Sequence, residues 1–224
     1  MGFYTILFAI LCIVLIFLFV GVAEAAFQEI GFNKLDFAII LVATLFGSFV
    51  NIPVYRIKKT QRVLQYDEVR AFWVTYRIPH VGIREVYTTV AVNLGGAIIP
   101  ILVSAYLILV HISFWPELLT GVIITSVIVH LVARRVEGVG IVTPAFIPPF
   151  AAAVIALILS MNNPAVIAYV SGSLGALIGA DLTNLRGMGK MGEAVASIGG
   201  AGTFDGVFLT GMIAVLIVIL VHIL

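Results

Sequence analysis

The chain has 224 residues, of which 62% are hydrophobic and 10% charged, and its net charge is +1. Soluble domains carry roughly 45–50% apolar and about 25% charged residues, so a mean hydropathy of +1.21 excludes a water-soluble globule. A single cysteine excludes a disulfide scaffold, and the near-balanced charge offers no basic field to a nucleic acid. The composition predicts an all-α polytopic membrane protein, one transmembrane domain over residues 1–224, with membrane lipid as its solvent.

Apolar runs of about 20 residues mark candidate spans. Tyr4–Ala23 is the first. It lacks the charged start of a signal peptide and reads as mature structure, with Cys12 a small core residue inside it. Leu35–Val54 follows the junction at Lys34. Residues 55–85 form a basic cytoplasmic loop containing Arg56, Lys58, Lys59, Arg62, Arg70, Arg77 and Arg84. Within it, Glu68–Tyr76 is rich in β-branched and aromatic residues, and Arg77–Gly82 contains a proline and a glycine. That pattern fits a small β-hairpin on the membrane surface, and equally a basic amphipathic loop held by anionic lipid. Val86–Ser113, Leu118–Ala133, Phe146–Ser160, Pro164–Leu182 and Phe204–Leu224 complete an expected seven spans. Trp115 reads as an interfacial belt residue.

Of the 12 basic residues, all except Lys34 lie at the even-numbered junctions, with Arg134, Arg135, Arg186 and Lys190 joining the seven above. Positive charge collects on the cytoplasmic side. The expected location is therefore the cell membrane, multi-pass, with the N-terminus inside and the C-terminus outside.

Glycine and proline cluster at Gly47–Pro53, Asn93–Pro100, Gly138–Pro149 and Gly199–Gly206. Backbone broken at membrane depth needs partners inside the protein, which favours a polar cavity at such places. The run Gly172–Gly179 reads instead as close helix packing through small residues. Ionisable residues inside spans are functional candidates because lipid burial is costly for them. Two qualify, Asp181 and Asp205, near the cytoplasmic ends of adjoining antiparallel spans. Two close carboxyls share a proton, so that one activates water while the other polarises a carbonyl. Each could instead cap a helix end or pair with Arg186 or Lys190. Asn51 and Asn93 fit cross-helix hydrogen bonding or a cation. His111 and His130 have no companions at metal-ligand spacing, and neither metal nor cofactor is expected.

Gly138–Pro149, Gly179–Leu185 and Gly199–Gly206 together resemble an archaeal and bacterial membrane family, the domain of unknown function numbered 1614, over most of the chain from the second span onward. A looser motif resemblance is to the presenilin and signal-peptide-peptidase group of intramembrane aspartic proteases. Phe204-Asp205 is similar to that group's Tyr-Asp, Gly179-Ala-Asp181 to its Gly-x-Gly-Asp, and Pro144-Ala145-Phe146 to its Pro-Ala-Leu. The two aspartate motifs stand here in reverse order.

The leading functional expectation is an intramembrane aspartyl peptidase acting on a transmembrane peptide. Asp181 and Asp205 would be its catalytic pair, with Pro144, Ala145, Phe146, Gly179, Phe204, Gly206 and Asn93 around the substrate and the Gly187–Gly192 loop as a flap. The alternative is an ion- or proton-coupled transporter using Asn51, Asn93, Thr143, Asp181 and Asp205 at the broken helices. A non-catalytic membrane scaffold is the third reading.

Overall fold

The computed structural model describes residues 2–71, 73–136, 140–185, 195–200 and 206–224. It opens with α1 (Phe3–Glu29), a continuous apolar helix of 27 residues. A four-residue connection leads to α2 (Lys34–Gly47). Asn33 starts that helix with a capping box: its Oδ1 accepts from the N–H groups of Leu35 at 2.8 Å and Asp36 at 2.9 Å. Its own N–H donates to the Asp36 carboxylate at 3.4 Å, so donors orphaned at the helix start are satisfied.

After α2 the chain leaves helical structure for two long antiparallel strands, β1 (Asn51–Ala71) and β2 (Val74–Asn93), joined at a turn where Trp73 adopts φ +67°. At about 3.3 Å per residue the ribbon is roughly 65 Å long. Its register is continuous apart from a bulge between Pro53 and Tyr55. The chain then forms a π-helical turn, Leu94–Ile98, that runs into α3 (Ile99–Val110). It continues through α4 (Trp115–Val132), a short hairpin of β3 (Arg134–Val136) and β4 (Gly140–Val142), and α5 (Ile147–Leu159). Next comes α6 (Pro164–Ala176), whose last turns open into a second π-helical turn, Leu177–Asp181. The described chain closes with β5 (Val195–Ile198) and α7 (Gly206–Ile223). Proline stands in the first turn of α4, α5 and α6, where its missing N–H has no intrahelical partner to lose, while Pro100 lies just where the π-helical turn runs into α3.

Among the described residues, four helices are long and apolar enough to cross a membrane: Tyr4–Glu29, Ile112–Val132, Pro164–Asn184 and Gly206–Ile223. Leu94–Val110 and Ile147–Leu159 are apolar but shorter. This corrects the expected fold class. The protein is not an all-α, seven-span molecule: its described residues include two β-sheets and four helices of spanning length. The expected second and third spans fail where Asn51–Val54 and Val86–Asn93 lie in strands. Val86, Thr88, Thr89, Val90 and Val92 are β-branched and fit a pleated strand, whereas a hydropathy window registers only that they are apolar.

The core is built around α6, buried along most of its length among α4, α5 and α7. Tyr169, Ile167 and Val170 are fully buried there with Phe208, Met212 and Val215 of α7. Phe27 of α1 meets the ring of Tyr169 edge-on at 5.6 Å and stacks on Phe208 at 5.8 Å. Small residues let backbones approach: a side chain on Gly172 would lie 3.1 Å from the Gly211 Cα, and one on Gly175 would strike Thr125.

Candidate functional site

The two π-turns lie at the same end of the bundle, and what surrounds them follows from the extra residue each contains. A π-turn widens the helix and displaces backbone groups from the regular hydrogen-bond ladder, so side chains must satisfy them. At the first, Asn93 is 1% exposed and fully used. Its Oδ1 accepts from Gly96 N–H at 2.8 Å, and its Nδ2 donates to the Ser48 carbonyl at 2.7 Å and to Asn51 Oδ1 at 3.1 Å. Ser197 of β5 donates its hydroxyl to the same Asn51 oxygen at 2.6 Å. Asn93 and Asn51 therefore lock α2, β1, β5 and the π-turn together, with both Nδ2 hydrogens of Asn93 spent and its Oδ1 engaged by Gly96. Asn93→Leu should strand a buried carbonyl and a buried N–H. We expect a loss of about 2–3 kcal/mol in stability, readable as a lower unfolding midpoint in detergent.

At the second π-turn, Thr183 donates to the Gly179 carbonyl at 2.7 Å and Asn184 Nδ2 to the Ala180 carbonyl at 2.8 Å. Arg135 Nε bonds Asn184 Oδ1 at 3.0 Å, and His130 Nδ1 meets the Thr183 hydroxyl at 2.8 Å. Gly179 has a packing role: a side chain there would run into the Ser126 carbonyl and Val129 of α4. Asp181, the last residue of this turn, is half-buried, and its Oδ2 accepts from Gly199 N–H at 2.6 Å.

Gly199 joins the two turns. Its φ of +79°, followed by +124° at Gly200, is open to glycine and strained for other residues. A Cβ on Gly199 would stand 2.5 Å from that of Ala97 and 2.8 Å from the Gly96 carbonyl carbon. One glycine thus donates to Asp181 of the second π-turn while lying against the first. Val90, Ala97, Ala176, Leu177, Ile198 and Val207 close the space toward the bundle as a separate buried cluster.

Two short strands lie next to this turn. β5 pairs in parallel with β2 over Thr89–Val92 and has no strand on its other side among the described residues. Among the described residues β4 pairs with β3 alone, and it packs against the second π-turn. Ile141 of β4 and Leu185 both pack on Ala196 of β5.

Of the residues singled out from sequence, Asp181 lies at this junction, and Gly179 and Asn93 brace it. Asp205, Phe204 and the Gly187–Gly192 loop lie outside the described residues. Gly206 opens α7 with space around it. Pro144, Ala145 and Phe146 are exposed and link β4 to α5, Phe146 being 79% exposed. Sequence reasoning marked Gly199 as broken backbone but missed its bond to Asp181, and it missed Ser197 altogether. The Gly199-Gly200 pair was the visible trace, since adjacent glycines mark backbone that needs positive φ. His111 and His222 engage helix carbonyls four residues back, at 3.1 Å each. No group of three metal-binding side chains occurs among the described residues.

A family model described as "Protein of unknown function (DUF1614)" matches residues 45–217, from the end of α2 into α7. No curated protein and no solved structure matches the chain. The likeness to the presenilin group therefore rests on its short motifs alone.

Proposed function

We propose, for a chain that belongs to the DUF1614 family, that it is an intramembrane aspartyl peptidase. The observation carrying this reading is the Asp181 carboxylate at the end of a helix already opened by a π-turn, bonded to Gly199 N–H directly after β5, with β4 packed against the same turn. A helical peptide has no spare backbone hydrogen bonds, so it must unwind before hydrolysis, and a strand edge receives an extended segment through main-chain pairing. Asp205, one residue before α7, supplies the second carboxyl. The ionised member takes a proton from water as its oxygen attacks the peptide carbonyl, and the protonated member donates to the carbonyl oxygen. Collapse of the tetrahedral intermediate returns a proton to the leaving amine. The test is hydrolysis of a membrane-embedded reporter by the purified protein in liposomes. Cleavage that disappears in Asp181→Asn supports the reading, and ion uptake without any cleavage overturns it in favour of transport.

The orientation belongs to the same proposal. The basic hairpin and the Asp181 junction face the cytoplasm, with α7 leading away from them to the outside, because the hairpin and β3 carry nine of the 12 basic residues and both adjoin that junction. A membrane-impermeant thiol reagent added to intact cells should leave a cysteine at Gln65 unlabelled and label one placed after Leu224. Labelling at Gln65 would reverse the topology.

A further inference from the structure

We infer that the outer half of the β1–β2 arm, residues 64–83, is a membrane-interface anchor. It lies in the headgroup zone of the bilayer that this chain's own helices cross, with Trp73 as its deepest side chain. This placement is independent of the peptidase chemistry and of the chain's sidedness. Ala71 pairs with Val74, so residues 72 and 73 make a two-residue hairpin loop. Loops of that length favour asparagine and glycine because they demand positive φ. Among the described residues, Trp73 is the one non-glycine residue at positive φ, +67°, and its side chain is fully exposed. A bulky residue is strained there, so the turn gives up stability to hold an indole out at the far end of the ribbon.

Behind the turn the ribbon is apolar on both faces. Leu64 (65% exposed) pairs with Val81 and Tyr66 with Pro79, on one face with Ile83 (72%). Val74, Tyr76 and Ile78 are exposed on the other face. A protein docking on a sheet covers one face or one edge, whereas this pattern fits a medium that surrounds the ribbon. Water alone is a poor one: a two-stranded ribbon is marginal there without further strands or a covering layer, and β5 stands beside only Thr89–Val92. Hydrocarbon is excluded by the backbone. The outer edges of residues 64–83 have no strand partner among the described residues, and their N–H and C=O groups need water or headgroups. The headgroup zone meets both demands. Tryptophan and tyrosine, apolar rings with a polar tip, are the side chains enriched at that level.

Charge divides the arm as an anionic leaflet favours. Residues 51–63 and 84–93 hold Arg56, Lys58, Lys59, Arg62 and Arg84 against Glu85 alone, a balance of +4. Residues 64–83 hold Arg70 and Arg77 against Asp67 and Glu68, a balance of zero. Both acids of the outer half are engaged, Glu68 with Arg77 at 3.0 Å and Asp67 with His80 Nδ1 at 3.2 Å, so no unmatched carboxylate is carried toward lipid phosphates. The basic inner half is drawn to anionic headgroups and holds the arm along the leaflet. The bulge at Pro53/Tyr55 is the place where the ribbon bends onto it. Because the chain enters the arm from α2 and leaves it toward α3, both apolar, that surface is tethered within reach.

The test uses the full chain in liposomes. The protein has two tryptophans, so Trp115→Phe leaves Trp73 as the sole indole fluorophore. In vesicles of phosphatidylcholine and phosphatidylglycerol, lipids brominated high on the acyl chain should quench its emission at least twofold, and lipids brominated near the chain end should quench it less. Aqueous acrylamide should quench it several times more weakly than free tryptophan. Arg56→Glu/Lys58→Glu, which alters two exposed side chains far from the turn, should reduce quenching by brominated lipid at least twofold. Strong acrylamide quenching with no effect of brominated lipid would place the arm in water, and weak quenching by both would place Trp73 against protein. Either result overturns the inference, as would lipid quenching that is indifferent to the charge reversal.

Discussion

Asp181→Asn, Asp205→Asn and the double variant should lose reporter cleavage to the same extent, on the order of a thousandfold or more. Residues that act as a unit do not contribute additively, so removing the second adds little once the first is gone. Folding should be untouched by Asp181→Asn, because the asparagine oxygen can still accept from Gly199 N–H, a bond of 2.6 Å in the native protein. The unfolding midpoint in detergent should therefore stay within a few degrees of wild type while activity vanishes. Asp181→Leu should lose both, because it also releases the Gly199 anchor between the two π-turns. Double-variant protein that cleaves at the wild-type rate would end the peptidase reading. Single variants that fail to fold would make the aspartates structural.

Gly95→Ala should accumulate poorly and elute as aggregate on size-exclusion chromatography. The added methyl would run into the Thr44 carbonyl, the Ser48 amide and the Ser48 hydroxyl. The first two are backbone of α2's last turn and of the residue that ends it, and they cannot rotate away as a side-chain end would. A side chain on Gly47 would meet the backbone of Gly95 from the other side at 2.9 Å, so neither segment has room to retreat. Overpacking of this kind costs about 3 kcal/mol or more, a large fraction of the margin by which domains are stable. Gly21→Ala is the control: nothing lies within 4 Å of its would-be Cβ on α1, and the variant should behave as wild type.

What the sequence discloses about this molecule depends on the kind of signal each feature leaves. Pro164, Pro116 and the apolar runs behind them mark helix starts through the chemistry of proline, and α4, α6 and α7 lie close to their expected limits. Val86–Asn93 is different. Apolarity and β-branching point to opposite structures there, and the neighbouring strand decides between them: β1 supplies a partner for every residue from Val74 to Asn93. Asp181 was legible because a carboxylate in an apolar run is expensive and conspicuous. Its partner was not, since a backbone N–H leaves no mark in composition. The likeness of Asn51 and Asn93 to ion ligands had the same origin. Their residue type advertises hydrogen bonding, and only the fold shows that Ser48, Gly96 and Ser197 consume it.

The parallel pairing of β5 with β2 carries a consequence for the order in which the protein is made. Thr89–Val92 leaves the ribosome about a hundred residues before its partner Val195–Ile198. In that interval α3, α4, α5 and α6 must be inserted. Contacts so distant in the chain form late, and a nascent chain that ends before Val195 holds Asp181 without Gly199 beside it. The carboxyl junction therefore cannot exist on an unfinished chain. Its completion waits until α3 to α6 and then β5 have been made, with α7 still to follow.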